Sequence, residues 1–291
     1  MKNRKIVTIL TLLIIALSVI SAITGIFSNN VDVHADITTV RGEIVQLYNK
    51  GLYARDSVSV AAQAIAQDII TLIVGIPLLS ISLFMIRKGS LKGTLLLTGT
   101  LGYFLYTYAS YAFIIMYNPF FLVYVALMAL SFYAFTLCMM SFQGHDLKQS
   151  FTDKFPAKSL CALFSFLGLM LCLMWLGRII PPLFSDTAPY GLEHYSTLGI
   201  QTLDLGFIVP ACFVTAGLLW RKRSWGYLLS VVLVLKMITM STAVSAMVVS
   251  MLINGVDVSI VEMIVFPAFT LLSIVFITKI LREVKKEARQ F

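Results

Sequence analysis

Five ionisable residues lie inside stretches that are otherwise apolar: Asp68, Arg178, Asp204, Lys236 and Glu262. A charge within hydrocarbon costs roughly 2.5–3.5 kcal/mol on insertion scales, so it is kept where it pairs, lines a wet cavity or does chemistry. A carboxylate that titrates, set beside a lysine near the middle of a membrane, could couple ligand binding to protonation. Neutral polar residues join the same layer. Gln63, Gln67 and Thr71 recur every four residues and share one helix face with Asp68 nearby. Tyr103, Tyr106, Ser110 and Tyr117 follow at steps of three, four and seven, which predicts one stripe, with Tyr108 and Tyr111 turned to another side.

The expected ligand-binding set is therefore Asp68, Asp204 and Lys236 as a charged centre, with Gln67, Tyr103 and Tyr106 lining it. Gln63, Arg178 and Glu262 complete the candidates. Each has a purely structural alternative. The charges could form buried ion pairs that only fix helix packing. Arg178 and Glu262 could reach the headgroups, and Tyr106 and Tyr117 could belong to an interfacial aromatic belt. Pro77, Pro210 and Pro267 are packing kinks, or they free carbonyls beside a cavity.

Catalytic signatures are missing from the sequence. It has no P-loop, no His-Glu-x-x-His, no Gly-x-Ser-x-Gly and no Gly-x-Gly-x-x-Gly, so no cofactor is expected. His34, Asp36, Glu193 and His194 share one side, but their spacing fits no metal pattern, and no metal is expected either. The four cysteines, Cys138, Cys161, Cys172 and Cys212, sit in apolar stretches and read as packing residues.

Positioning these residues requires long helices. Eight apolar stretches run approximately over 6–27, 59–86, 93–117, 119–142, 159–183, 199–219, 226–253 and 259–281. Each has about the 20 residues that cross roughly 30 Å of hydrocarbon. The chain is 59% hydrophobic, with a mean hydropathy of +0.91, far above a soluble domain. Backbone amides in hydrocarbon need internal partners, which makes helices nearly obligatory, and the runs are too continuous for a barrel. The expected fold is one all-α domain, a polytopic helical bundle with eight transmembrane helices.

Basic residues mark its orientation. Seventeen of the 22 lysines and arginines fall on alternate connectors and the two termini, against only Arg41, Lys50 and Arg55 on the other connectors. This positive-inside pattern predicts cytoplasmic N- and C-termini in a cell (plasma) membrane. The net charge of +8 then reflects topology and anionic inner-leaflet lipid rather than nucleic acid. The start of the chain also has signal-peptide character, with Lys2, Arg4 and Lys5 before an apolar run and Val33-His34-Ala35 as a small-residue cleavage site. The run is long for a signal, so retention as the first span is expected.

Two stretches echo each other. Gln67-Asp68, Pro77 and Arg87-Lys88-Gly89-Ser90 are followed by Gly93; Gln201 to Asp204, Pro210 and Arg221-Lys222-Arg223-Ser224 are followed by Gly226. The correspondence predicts two four-helix halves in parallel repeat and sets Tyr103 on Lys236. In the first outer connector, Val40, Ile44, Leu47 and Tyr48 repeat at helical spacing after Thr39 and before Gly51, which predicts a short amphipathic surface helix over 38–51.

Three functions fit this reading. The first is binding or transport of a small polar solute or ion. The second is a non-catalytic accessory or assembly subunit held to a membrane-protein partner. The third is an intramembrane enzyme acting on a lipid-linked substrate, which would need two of Asp68, Asp204 and Glu262 close together. Beyond the lipid bilayer, the implied partners are a polar ligand or another membrane protein.

Overall fold

The computed structural model describes residues 3–31, 36–39, 41–185 and 187–285. Val33-His34-Ala35, and with it His34 and the expected cleavage site, lies outside them. The chain folds as an all-α bundle of long rods: α1 (Arg4–Phe27), α2 (Val58–Arg87), α3 (Leu91–Ile114), α4 (Phe121–Met140), α5 (Ala157–Ser185), α6 (Gly199–Trp220), α7 (Ser224–Ile253) and α8 (Ile260–Arg282). Seven of these are long and apolar enough to cross a membrane.

The exception is α3, although its 24 residues span about 36 Å. Sixteen of them are buried, including Thr94, Thr98, Thr100 and four tyrosines. This rod faces protein on nearly every side, so its sequence need not match lipid. At the other extreme, α8 packs chiefly on α7 and buries only Ser273, Ile277 and Ile280. Lipid-facing apolar side chains explain that exposure without a packed core.

The connectors gather at two ends. The described residues of 28–57 meet residues 115–120 and 187–198 at one, where Tyr195 and the Met116 amide both reach Asp56. Residues 141–156, 221–223 and 283–285 meet at the other, where Ser224 bonds Asp146, Thr152 bonds Glu283 and Phe151 bridges Val284. We call these the acidic and basic ends.

Between them, α2 and α6 run in the same direction and share an unusual local structure. In α2 a π-helical turn at Thr71–Gly75 precedes Ile76-Pro77, and in α6 one at Asp204–Ile208 precedes Val209-Pro210. Proline lacks an N–H and its ring would strike the preceding turn; widening that turn relieves the clash. Each helix then continues for 12 residues and closes alike. The Ser90 amide bonds the Met85 carbonyl and the Arg223 amide the Leu218 carbonyl, with Gly89 (φ 70°) and Lys222 (φ 53°) in the left-handed region.

The match extends to the packing. A Cβ on Gly93 would strike Met85 and Ile86, and one on Gly226 would strike Leu218 and Leu219. Where α3 crosses α7, Gly99 lies on Leu235 and Gly102 lies on Val232, two contacts that exchange when the halves are interchanged. Small residues let the two central helices approach closely. One contact is unshared: α1 packs on α4, whereas α5 leans on α6 and leaves α8 apart.

The connector expected as a helix over 38–51 is instead a β-hairpin. Strand β1 (Ile37–Thr38) pairs antiparallel with β2 (Ile44–Val45), and Gly42 turns at φ 82°. The Thr39 hydroxyl accepts the Arg41 and Glu43 amides across the turn rather than capping a helix. Val45 and Leu47 are buried around an exposed Gln46, the two-residue alternation of an extended chain. A 3-10 turn at Gly51–Tyr53 follows, and Ser57 caps α2 by accepting the Val60 amide.

Candidate functional site

The ionisable residues within the helices divide into two clusters, one on either side of α3. In the first, Asp68 is almost fully buried, 1% exposed. The Tyr53 hydroxyl donates to its Oδ2 at 2.6 Å, and the Tyr111 hydroxyl lies 3.2 Å from Oδ1 while donating to the Ala64 carbonyl at 2.9 Å. Gly25 of α1 closes the remaining side: a Cβ there would stand 2.0 Å from Oδ2. Next to Asp68, the Gln67 amide donates to the Tyr103 hydroxyl at 2.6 Å and to Thr107 at 3.2 Å, and Thr71 bonds the same Tyr103 hydroxyl at 3.1 Å. The Gln67 Oε1 is buried without a partner.

In the second cluster Asp204 opens the π-helical turn of α6. Its Oδ1 accepts from the Tyr106 hydroxyl at 2.7 Å and its Oδ2 from the Trp175 indole at 3.0 Å. The Lys236 ammonium lies 3.8 Å from the centroid of the same Tyr106 ring. Such a cation–π contact is worth about 0.5–2 kcal/mol. Asp204 and Lys236 are within electrostatic reach, yet Tyr106 stands between them in place of a contact ion pair. Among the described residues the ammonium meets no hydrogen-bond acceptor, and Lys236 is only half-buried. Arg178, one turn beyond Trp175, stacks toward Trp175 and Tyr190 at 5.8 and 4.7 Å.

An open cavity of about 340 Å³ lies at the acidic end of α5 and α6, lined by Ile179, Leu192, Ser196, Leu198, Gln201 and Leu205 among others. Gln201 and Leu205 bracket Asp204 along α6, while Asp204, Tyr106, Trp175 and Lys236 are not among its lining residues.

The expected set is therefore only partly brought together. Asp204, Lys236 and Tyr106 meet, with Arg178 joined through Trp175. Asp68, Gln67 and Tyr103 meet separately. Gln63 is outside both clusters, its amide donating to Ser59 within its own helix. Glu262 is exposed and forms a capping box with Ser259. The expected stripe splits as well: Tyr103 serves the first cluster, Tyr106 the second, and Tyr117 is exposed, while Tyr111, expected on another side, joins the first cluster. Trp175, Tyr53, Tyr111 and Gly25 escaped sequence reasoning. Only Trp175 carried a signal, its spacing of one helical turn from Arg178.

A third polar group lies at the acidic end, outside the spans. Asp56 Oδ1 accepts from the Tyr195 hydroxyl at 2.9 Å and from the Met116 amide at 3.0 Å, and Tyr195 in turn accepts the Ser57 amide. Burial pushes the Asp56 carboxyl up to about 7; the Glu193 charge adds to this, while the Met116 and Tyr195 hydrogen bonds oppose it. Asp56 Oδ2, Glu193 Oε2 and His194 Nδ1 are buried without partners among the described residues. No group of three His, Cys, Asp or Glu side chains among those residues is placed to hold a metal ion.

The fold and these clusters define a multi-pass helical membrane protein with polar groups held inside the bundle. No known protein family, curated protein or solved structure matches the chain.

Proposed function

We propose that this protein binds a small polar solute or ion at Asp204, Tyr106 and Lys236, and carries it across a cell membrane through eight spans with both termini cytoplasmic. One observation carries the reading: an acid and an ammonium held inside the bundle, joined through one tyrosine ring, with the ammonium's donors unengaged. A charge held within a bundle without a contact partner is unfavourable, which structural ion pairs avoid by direct contact. A ligand bringing an acceptor to Lys236 would offset that cost. The cavity over Gln201 and Leu205 supplies an approach from the acidic end.

The test is a screen of small polar solutes and ions by thermal shift, followed by flux into proteoliposomes. A stabilising solute should lose its effect in Asp204→Asn and Lys236→Met. Unchanged binding and flux in both variants would overturn the reading. An assembly role is the alternative, favoured by the sparse packing of α8, and would show as a stoichiometric partner copurifying in mild detergent.

A further inference from the structure

The geometry points to Asp68 as a proton-binding site, its carboxyl neutral in this state and sealed from water by tyrosines. The hydrogen bonds around it leave a place for an acid's proton. The Tyr111 hydroxyl has one proton for two acceptors, the Ala64 carbonyl at 2.9 Å and Asp68 Oδ1 at 3.2 Å. Donated to the nearer of them, that proton leaves the phenol oxygen able to accept from Oδ1. A protonated Oδ1 donates to Tyr111 while Oδ2 accepts from Tyr53 at 2.6 Å, so every atom of the carboxyl is satisfied. An ionised carboxyl would have to compete with the Ala64 carbonyl for that one proton.

The surroundings agree. Tyr53 of the first connector, Tyr111 and Tyr108 of α3 and Tyr124 of α4 form edge-to-face ring contacts around the site. Gly25 presents bare backbone from α1, and Tyr103 is the next titratable group on α3. No lysine, arginine or histidine among the described residues faces the carboxyl. A lone carboxylate this deeply buried is strongly disfavoured, and taking up a proton removes the cost. Asp204 has a different environment: two donors, Tyr106 and Trp175, and a nearby ammonium.

Release requires the seal to open. Tyr53 sits on the acidic-end connector, so displacing residues 51–53 exposes Oδ2 on that side. If the transport reading above holds, on which this clause alone rests, the ion coupled to solute movement is a proton carried by Asp68.

Infrared spectroscopy of the protein in lipid vesicles tests the site without any solute. The wild type should show the C=O stretch of a protonated carboxylic acid, persisting at alkaline pH where Asp56 has ionised. That band should be lost in Asp68→Asn and kept in Asp204→Asn and Asp56→Asn. Tyr53→Phe, which removes the donor to the C=O, should move it to higher frequency; this variant also serves if Asp68→Asn fails to fold. A wild-type spectrum without such a band at alkaline pH, or a band indifferent to both Asp68→Asn and Tyr53→Phe, would overturn the proposal. Loss of solute binding with the band intact would remove the transport reading and leave the proton site standing.

Discussion

Tyr103 and Lys236 hold the same place in the two halves of the bundle. Tyr103 follows Gly93 and Lys236 follows Gly226 by the same number of residues, and those glycines pack identically against the preceding helices. Their partners correspond too. Tyr103 bonds Thr71, the first residue of one π-helical turn; Lys236 faces Asp204, the first residue of the other. Helices α2 and α3 carry a neutral hydrogen-bonded pair at this position, whereas α6 and α7 carry an acid and an ammonium with Tyr106 between them. On the same local scaffold, different side chains give a hydrogen-bonded core in one place and a half-buried ammonium in the other.

Tyr106 separates its two roles cleanly. Tyr106→Phe keeps the ring beneath the Lys236 ammonium and removes the donor to Asp204. The variant should lose about 1–3 kcal/mol of stability, the cost of an unsatisfied buried acceptor. Denaturant titration in detergent reads the loss, and an unchanged midpoint would mean that Asp204 is hydrated.

The helix crossing predicts a contrast between neighbouring glycines. A Cβ on Gly99 would stand 2.4 Å from Leu235 Cδ1 and 2.7 Å from its Cβ, so α3 and α7 must separate. On Gly102 the nearest atom is 3.5 Å away. Gly99→Ala should cost about 1–3 kcal/mol and Gly102→Ala little, as measured by thermal unfolding.

Lys222 occupies a left-handed conformation that its counterpart Gly89 adopts freely. A side chain there costs roughly 1 kcal/mol. Lys222→Gly should raise the melting temperature, with no change at Gly89→Lys or a gain arguing against the shared closure.

The acidic end should respond to pH. Asp56 is held near 7 when folded, against an ordinary carboxyl near 4. The folded state therefore binds the proton more tightly than the unfolded state. Its contribution is full below about pH 4, and declines by up to ~1.4 kcal/mol per unit as pH rises toward 7. Hydrogen exchange at Ser57 and Met116, the amides bonded at Tyr195 and Asp56, should quicken across that window beyond its intrinsic base dependence. Asp56→Asn should remove this excess.

The rods were legible because lipid imposes a simple rule: continuous apolar runs must be helices, and their charges mark the ends. The echo between Gly93 and Gly226 was legible for the same reason, since proline and a basic turn punctuate each copy. The hairpin at 37–45 was not, because Val40, Ile44, Leu47 and Tyr48 fit a helical period while burial follows Val45 and Leu47 at a period of two.

By itself, the sequence determined a bundle of membrane-crossing helices, their order and the layer in which polar groups fall. Only the tertiary structure decided that Asp204 meets Lys236 through Tyr106 while Asp68 is enclosed by Tyr53 and Tyr111. The reason is rotational. Each π-helical turn inserts one residue and turns everything beyond it by about 100°, and α3 presents its two faces to different halves. Depth along a helix follows from counting residues, but the direction a side chain points depends on how the helices cross.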